Sequence, residues 1–320
     1  MDLALIGFGN VGRAFARLIE WKRASFPFRI TGIHTARHGT AIDPKGLAAE
    51  PLFGPPAVSV DEFLERAAAE AVIEITPLNP ASGEPALSHI RAAFRRGMHV
   101  VTANKGPVAY AYAALREQAR ASGVQFRFES TVLDGAPVFN MVRNNLPGVA
   151  VLGFTGVLNS TTKIIVEAMA EGRPMEEGIE LARRMGIAEA DPSYDIDGWD
   201  SAVKAAALAN VLMDARLTPR SIEPRGIGGL TPARVRELAQ RGETVRIVSR
   251  GERTASGVRI RVLAEEMPQT DLLACVPGTS NLLLLETDLM GTVGTVSINP
   301  GVDQTAYGLF GDLVDIAREM

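Results

Sequence analysis

Two lysines, Lys105 and Lys204, and a run of carboxylates between them are the residues whose types and spacing could do chemistry. The run reads Glu189-Ala190-Asp191-Pro192-Ser193-Tyr194-Asp195-Ile196-Asp197-Gly198-Trp199-Asp200 and leads into Ser201-Ala202-Val203-Lys204. Asp200 and Lys204 stand four apart at the start of an expected Ala-rich helix, Ser201 to Met213, so they share one face of it. On an open surface such a pair contributes about a few tenths of a kcal/mol and means little. Facing a desolvated cleft, it can orient an ammonium that gives a proton to a nascent alkoxide. The acids could also hold a hard cation, which spacing alone does not decide. Lys105, in Thr102-Ala103-Asn104-Lys105-Gly106-Pro107, follows an expected strand, at the sheet edge that faces the ligand crevice in open α/β folds. There it can donate to a substrate or cofactor oxygen, or serve as a plain surface lysine.

Gly7-Phe8-Gly9-Asn10-Val11-Gly12 follows the apolar run Asp2 to Ile6 and opens a helical pattern with Val11, Phe15, Leu18 and Ile19 on one face. A Gly-x-Gly-x-x-Gly pattern in that context reads as a dinucleotide-binding turn, since glycines allow close approach of a pyrophosphate and the helix N-terminus stabilises its charge. A simple glycine turn is the alternative. After the second expected strand, Phe28 to Ile33, no carboxylate occurs before Asp43 to take a ribose 2′-hydroxyl. Arg37 could meet a 2′-phosphate instead, so NADP is preferred over NAD.

The elements that must position these residues alternate in the first half. A long Gly- and Pro-rich loop covers Thr35 to Pro56. Helices are expected over Asp61 to Ala69, Pro85 to Arg96 and Pro107 to Ala121, and strands over Ala71 to Thr76, Met98 to Ala103 and Val124 to Glu129. Strands separated by such helices imply βαβ units and a parallel sheet. In the second half, Val151 to Val157 reads as a strand, and Asn159-Ser160-Thr161 supplies an N-cap for the helix Thr162 to Glu171. A helix between Pro174 and Gly186, β-like runs Val258 to Ala264 and Thr292 to Ile298, and a last amphipathic helix, Thr305 to Arg318, complete the pattern.

With 320 residues, 46% hydrophobic and 22% charged, the chain is expected to hold two domains and a sizeable core. Thirty-three basic against 37 acidic side chains, a net charge of −4, offer no footprint for nucleic acid or an anionic membrane. No stretch of 18 apolar residues spans a bilayer and no targeting segment opens the chain. The single Cys275 fits a reducing cytoplasm. His34, His38, His89 and His99 show no metal-ligand spacing, so catalysis by histidine or cysteine is not expected.

Taken together, these motifs resemble homoserine dehydrogenase, in the short form without a regulatory domain. The resemblance extends through Glu74-Ile75-Thr76-Pro77, Val100 to Lys105, Glu129-Ser130-Thr131-Val132, Gly156 to Thr162, Glu189 to Lys204, and Asp312 to Ala317. It implies interconversion of L-aspartate 4-semialdehyde and L-homoserine, with NADP(H) preferred and NAD(H) possible. By the same resemblance, Lys204 donates the proton, Asp200 orients it, and Lys105 contacts substrate beside the nicotinamide. Glu189 takes the substrate ammonium with Asp195 in support, while Ser160 and Thr161 meet the carboxylate. Thr76 lies against the cofactor, together with Gly7, Phe8, Gly9, Asn10, Val11, Gly12 and Arg37. A monovalent cation, Na+ or K+, is implied at the Glu129 carboxylate and the carbonyls of Val132, Asp134 and Ala136. The implied architecture is α/β: a Rossmann doubly wound parallel sheet over 1–129, an α+β substrate and dimerisation domain over 130–285, and a segment 286–320 returning to the first, in a cytoplasmic homodimer. Two other readings stay open. One is an enzyme acting on another amino-acid semialdehyde; the other is a non-catalytic nucleotide-binding regulator.

Overall fold

The computed structural model describes residues 1–188 and 191–320. By packing, the chain divides into two units, Met1–Asn140 with Gly301–Met320, and Met141–Pro300. The boundaries expected from sequence fall at 129 and 285. In the structure residues 129–140 pack within the first unit, because the Glu129 carboxylate accepts the backbone N–H groups of Val138, Phe139 and Asn140.

The first unit alternates as its sequence pattern suggests. Its elements are β1 (Asp2–Ile6), α1 (Asn10–Lys22), β2 (Arg29–Thr35), β3 (Gly39–Ile42), α2 (Val60–Ala67), β4 (Ala71–Glu74), α3 (Ala86–Arg95), β5 (His99–Thr102), α4 (Lys105–Ala121) and β6 (Phe126–Arg127). Among the described residues these strands form one sheet, ordered β3-β2-β1-β4-β5-β6. All neighbours are parallel except the β2–β3 hairpin. The Rossmann-like sheet is therefore present, with a short antiparallel edge inside what reads from sequence as a loop. Near-continuous apolar runs such as Leu3 to Ile6 are buried on both faces, as a covered parallel sheet requires. The core joins Leu5, Phe15, Ile33, Ile73 and Val101 to Leu309, Leu313 and Ile316 of the C-terminal helix.

The second unit contains β7 (Val151–Val157), α5 (Ser160–Ala170), α6 (Met175–Arg184), the short α7 (Ser193–Ile196), α8 (Trp199–Leu212), α9 (Pro232–Gln240), β8 (Glu243–Thr254), β9 (Gly257–Pro268), β10 (Asn281–Thr287) and β11 (Thr292–Ser297). Its strands form an antiparallel sheet ordered β11-β10-β7-β8-β9. Helices α5, α8 and α9 pack on β8. The C-terminal helix α10 (Val302–Glu319) belongs to the first unit and packs against α1. Among the described residues no helix is long and apolar enough to cross a membrane.

Candidate active site

The candidate residues form one constellation in each unit. In the first, Gly7 leaves β1 at φ +102° and its N–H donates to the His34 carbonyl at 2.9 Å. A Cβ there would lie 2.6 Å from the Ile75 carbonyl oxygen, so the turn needs glycine on both counts. At Gly12 a Cβ would come within 3.0 Å of the Ile75 side chain and 3.2 Å of the Phe8 ring, which makes it the close-packing glycine. At Gly9 it would meet nothing within 4 Å. Gly9 caps α1 without a side-chain hydrogen bond, leaving its backbone open to a ligand before Asn10 and Val11 begin the helix. A tight turn, an open second glycine and a close-packed third are what a pyrophosphate-binding turn requires. Phe8 is buried edge-on against Phe53, with the Arg13 guanidinium over its ring. Arg37 sits exposed in the turn between β2 and β3, next to His38, whose N–H donates to Thr35 Oγ1.

At the C-terminal ends of β4 and β5 a buried network joins Glu74, Thr76, Thr102 and Asn104. Glu74 is completely buried, and its Oε1 accepts both the N–H (3.2 Å) and the hydroxyl of Thr76. Thr102 Oγ1 stands 3.1 Å from Glu74 Oε2 and accepts the Asn104 N–H at 2.9 Å. Asn104 Nδ2 donates to the Thr76 carbonyl, and its Oδ1 accepts the Gly106 N–H, capping α4. Lys105 is the first residue of that helix, two residues earlier than the proline at 107 suggests. No periodicity reveals the role of Glu74; an acid ending the buried run Val72-Ile73 is the available signal.

In the second unit, Lys204 Nζ lies 3.0 Å from Asp200 Oδ2 and donates to the Leu158 carbonyl at 2.6 Å. Their side chains are 15% and 9% exposed, so this is the desolvated version of the pair rather than the surface one. Asn159 Nδ2 donates to Asp200 Oδ2 at 3.0 Å and to Asp195 Oδ1 at 2.6 Å. Its Oδ1 accepts the Thr162 N–H and so caps α5, which ties that helix start to both acids. Burial raises the Asp195 pKa above the ordinary aspartate value, and the charge on Asp200 adds to the shift. The hydroxyls of Ser160 and Thr161 donate to the carbonyls of Thr279 and Ile187. The structure thus brings Lys204, Asp200, Asp195 and the α5 start together through Asn159, whose bridging side-chain amide the sequence does not disclose. Glu189 lies outside the described residues.

Glu129 and Asp312 form a second buried acidic pair, in the first unit. Burial pushes the Glu129 carboxyl up to about 7, against the pull of its three backbone N–H donors and with Asp312 adding to the rise. Asp312 accepts the Glu129 N–H at 2.8 Å and the Asn140 side-chain amide at 3.0 Å. Asp134 and Gly135, both at positive φ, turn the segment that carries the carbonyls of Val132, Asp134 and Ala136. Among the described residues no group of three or more His, Cys, Asp or Glu side chains could hold a metal ion. Any cation here would draw on backbone oxygens.

A family model described as homoserine dehydrogenase matches residues 137–314, and one described as the homoserine dehydrogenase NAD binding domain matches 7–129. The chain belongs to the homoserine dehydrogenase family. It is 34% identical to an NAD(+)-dependent homoserine dehydrogenase of Pseudomonas canavaninivorans, over 98% of this chain and 95% of that one. It is also 34% identical to the homoserine dehydrogenase of Methanocaldococcus jannaschii, over 99% and 98%. A hyperthermophilic archaeal homoserine dehydrogenase mutant solved in complex with NADPH superposes at a TM-score of 0.82, with 27% identity and coverage of 100% and 98%. Homoserine dehydrogenases interconvert aspartate semialdehyde and homoserine, oxidoreductase chemistry at a CH–OH group on a nicotinamide cofactor.

Proposed function

We propose that Lys204 is the proton donor of this reaction, and the observation that carries the reading is its ion pair with Asp200 inside the Asn159 network. Bound nicotinamide supplies the hydride for reduction and accepts it in oxidation. Reduction of the aldehyde builds negative charge on its oxygen, and an ammonium held by a fixed carboxylate both stabilises that charge and delivers a proton. Asp200 orients Lys204, and Lys105, at the first turn of α4, contacts substrate and nicotinamide. Ser160 and Thr161, on the first turn of α5, receive the substrate carboxylate, which the helix dipole favours. Glu189, with Asp195, takes the ammonium. Absorbance at 340 nm with purified protein, L-homoserine and NADP+ or NAD+ at alkaline pH tests the reading. Homoserine-dependent growth of the signal is expected; its absence with both cofactors, from folded protein that binds NADPH, sinks it.

NADP(H) is the preferred cofactor on this reading, with NAD(H) accepted. Its support is the β2 end, which presents Arg37 and no carboxylate. Arg37→Asp is expected to weaken NADP(H) relative to NAD(H) in calorimetric titration, because an aspartate repels a 2′-phosphate and accepts from a 2′-hydroxyl. A preference that does not move assigns the 2′-phosphate to another residue. A Na+ or K+ ion held by the carbonyls of Val132, Asp134 and Ala136 would offset the negative charge of Glu129 and Asp312. The sheet face of the second unit that carries half-buried Leu284 and exposed Val296 supports a homodimer interface. The single cysteine fits a cytoplasmic enzyme.

A further inference from the structure

We infer that Glu74 is a positioning residue that fixes Thr76 as a hydrogen-bond acceptor for the primary amide of the nicotinamide. The inference rests on the proposed function and on the placement of Thr76 against the cofactor that the resemblance implies. It begins from Glu74 Oε1, which receives the Thr76 backbone N–H. A backbone N–H can only donate, so that oxygen is an acceptor. The Thr76 hydroxyl, aimed at the same oxygen, must therefore spend its single proton on it. What Thr76 Oγ1 has left to offer a ligand is lone pairs. Asn104 Nδ2, a donor 3.5 Å away, faces the same oxygen and agrees with that polarity.

The surroundings hold this arrangement in place. Thr102 lies directly across from Glu74 in the β4–β5 register and joins its second carboxylate oxygen. The His89 ring lies 3.5 Å from Oε1 in the same buried cluster. Thr76 itself is only half-buried and follows the C-terminal end of β4, the strand beside β1 and its glycine turn. Ligands of open α/β sheets bind at that edge. A pyridine-3-carboxamide carries one carbonyl acceptor and one NH2 donor. An oxygen restricted to accepting selects the NH2 and rejects a carboxamide turned the other way round.

The test compares equilibrium Kd values, by calorimetric titration without substrate, for NADP+ and NAD+ against their 3-acetylpyridine analogues, in which a methyl replaces the NH2. The parent is expected to prefer the nicotinamide forms. Thr76→Val should shrink that preference by about three- to tenfold, the value of one neutral hydrogen bond, and Thr76→Ser should keep it. Glu74→Ala should shrink it too, because it removes the oxygen on which the threonine hydroxyl spends its proton. Glu74→Gln, whose amide oxygen can stay on the Thr76 N–H and hydroxyl, should keep it. If Thr76→Val weakens all four cofactors equally, Thr76 touches the cofactor but not its amide, and the inference falls while the placement stands. If no Kd moves in Thr76→Val, the placement falls and takes the inference with it. An unchanged preference in folded Glu74→Ala, with Thr76→Val altered, removes Glu74 from the role. Should Glu74→Ala not fold, the Thr76→Val and Thr76→Ser pair still decides the acceptor.

Discussion

Replacing Lys204 by alanine is expected to lower kcat by on the order of 10²–10⁴-fold, the range that general acid catalysis contributes, with cofactor binding retained. Lys204 Nζ has two jobs in the folded chain: it donates to the Leu158 carbonyl and it pairs with Asp200. Leu158 immediately precedes Asn159, and Asp200 accepts from the Asn159 side-chain amide, so the ammonium is held at a set place before substrate arrives. Fixing a donor in advance is worth most where water is scarce, and these side chains are nearly buried. The glycine turn lies in the other unit, so the alanine variant should still take up NADP+ with the parent's Kd. Lys204→Met keeps the aliphatic stem and should lose as much turnover, which separates the missing proton from missing packing. Steady-state rates beside a calorimetric titration make the check. Unchanged turnover in folded Lys204→Ala would remove the lysine from the mechanism.

Why that pair was legible in advance, and much around it was not, follows from where each contact is made. Asp200 and Lys204 meet on one helix, where a spacing of four is itself a geometric statement. Gly7, Gly9 and Gly12 are likewise local, and each does a separable job in the turn. Glu74 and Thr102 meet only through the register of β4 with β5, and Asn159 reaches Asp195 across 36 positions of chain. No window of sequence contains such a pair. The parallel sheet was readable because Gly and Pro punctuate its alternating strands and helices. In the second unit, β8 hides its period because Arg246 lies buried within it, donating to the carbonyls of Val245 and Ala274. The leucine run of β10 fits a buried helix turn as well as a strand, and only its pairing with β7 and β11 decides. Lys163 shows the same limit. It lies on α5 almost wholly buried, with Nζ on the Ser280 carbonyl, and burial beside Arg246 brings its pKa down to about 8.

Glu129→Ala is expected to cost on the order of 3–5 kcal/mol of stability, because three backbone donors lose their acceptor and a buried donor left unsatisfied costs about 1–3 kcal/mol. The carboxylate takes the N–H groups of Val138 at 2.6 Å, Phe139 at 3.0 Å and Asn140 at 2.6 Å. Val138 and Phe139 are buried, so without the carboxylate their donors face an apolar interior. Asp312 binds the same turn from the other side, through the Glu129 N–H and the Asn140 amide. Losing Glu129 therefore loosens the 129–140 segment from α10 as well as from itself. Glu129→Gln should cost less. Its carbonyl oxygen can still serve Val138 and Phe139, while its NH2 meets the Asn140 N–H donor to donor. Urea denaturation of the three proteins gives the order directly, and an alanine variant as stable as the parent would show that the carboxylate anchors nothing. The same series bears on the cation. An ion bound to the native state alone adds RT ln(1 + [ion]/Kd) of stability, so the parent should resist urea better in sodium or potassium chloride than in tetramethylammonium chloride at equal ionic strength. Glu129→Ala should lose that difference, because the carbonyls of Val132, Asp134 and Ala136 alone would hold a cation less well than they would beside a carboxylate. A parent indifferent to the salt would leave Glu129 a structural anchor and remove the cation from its account.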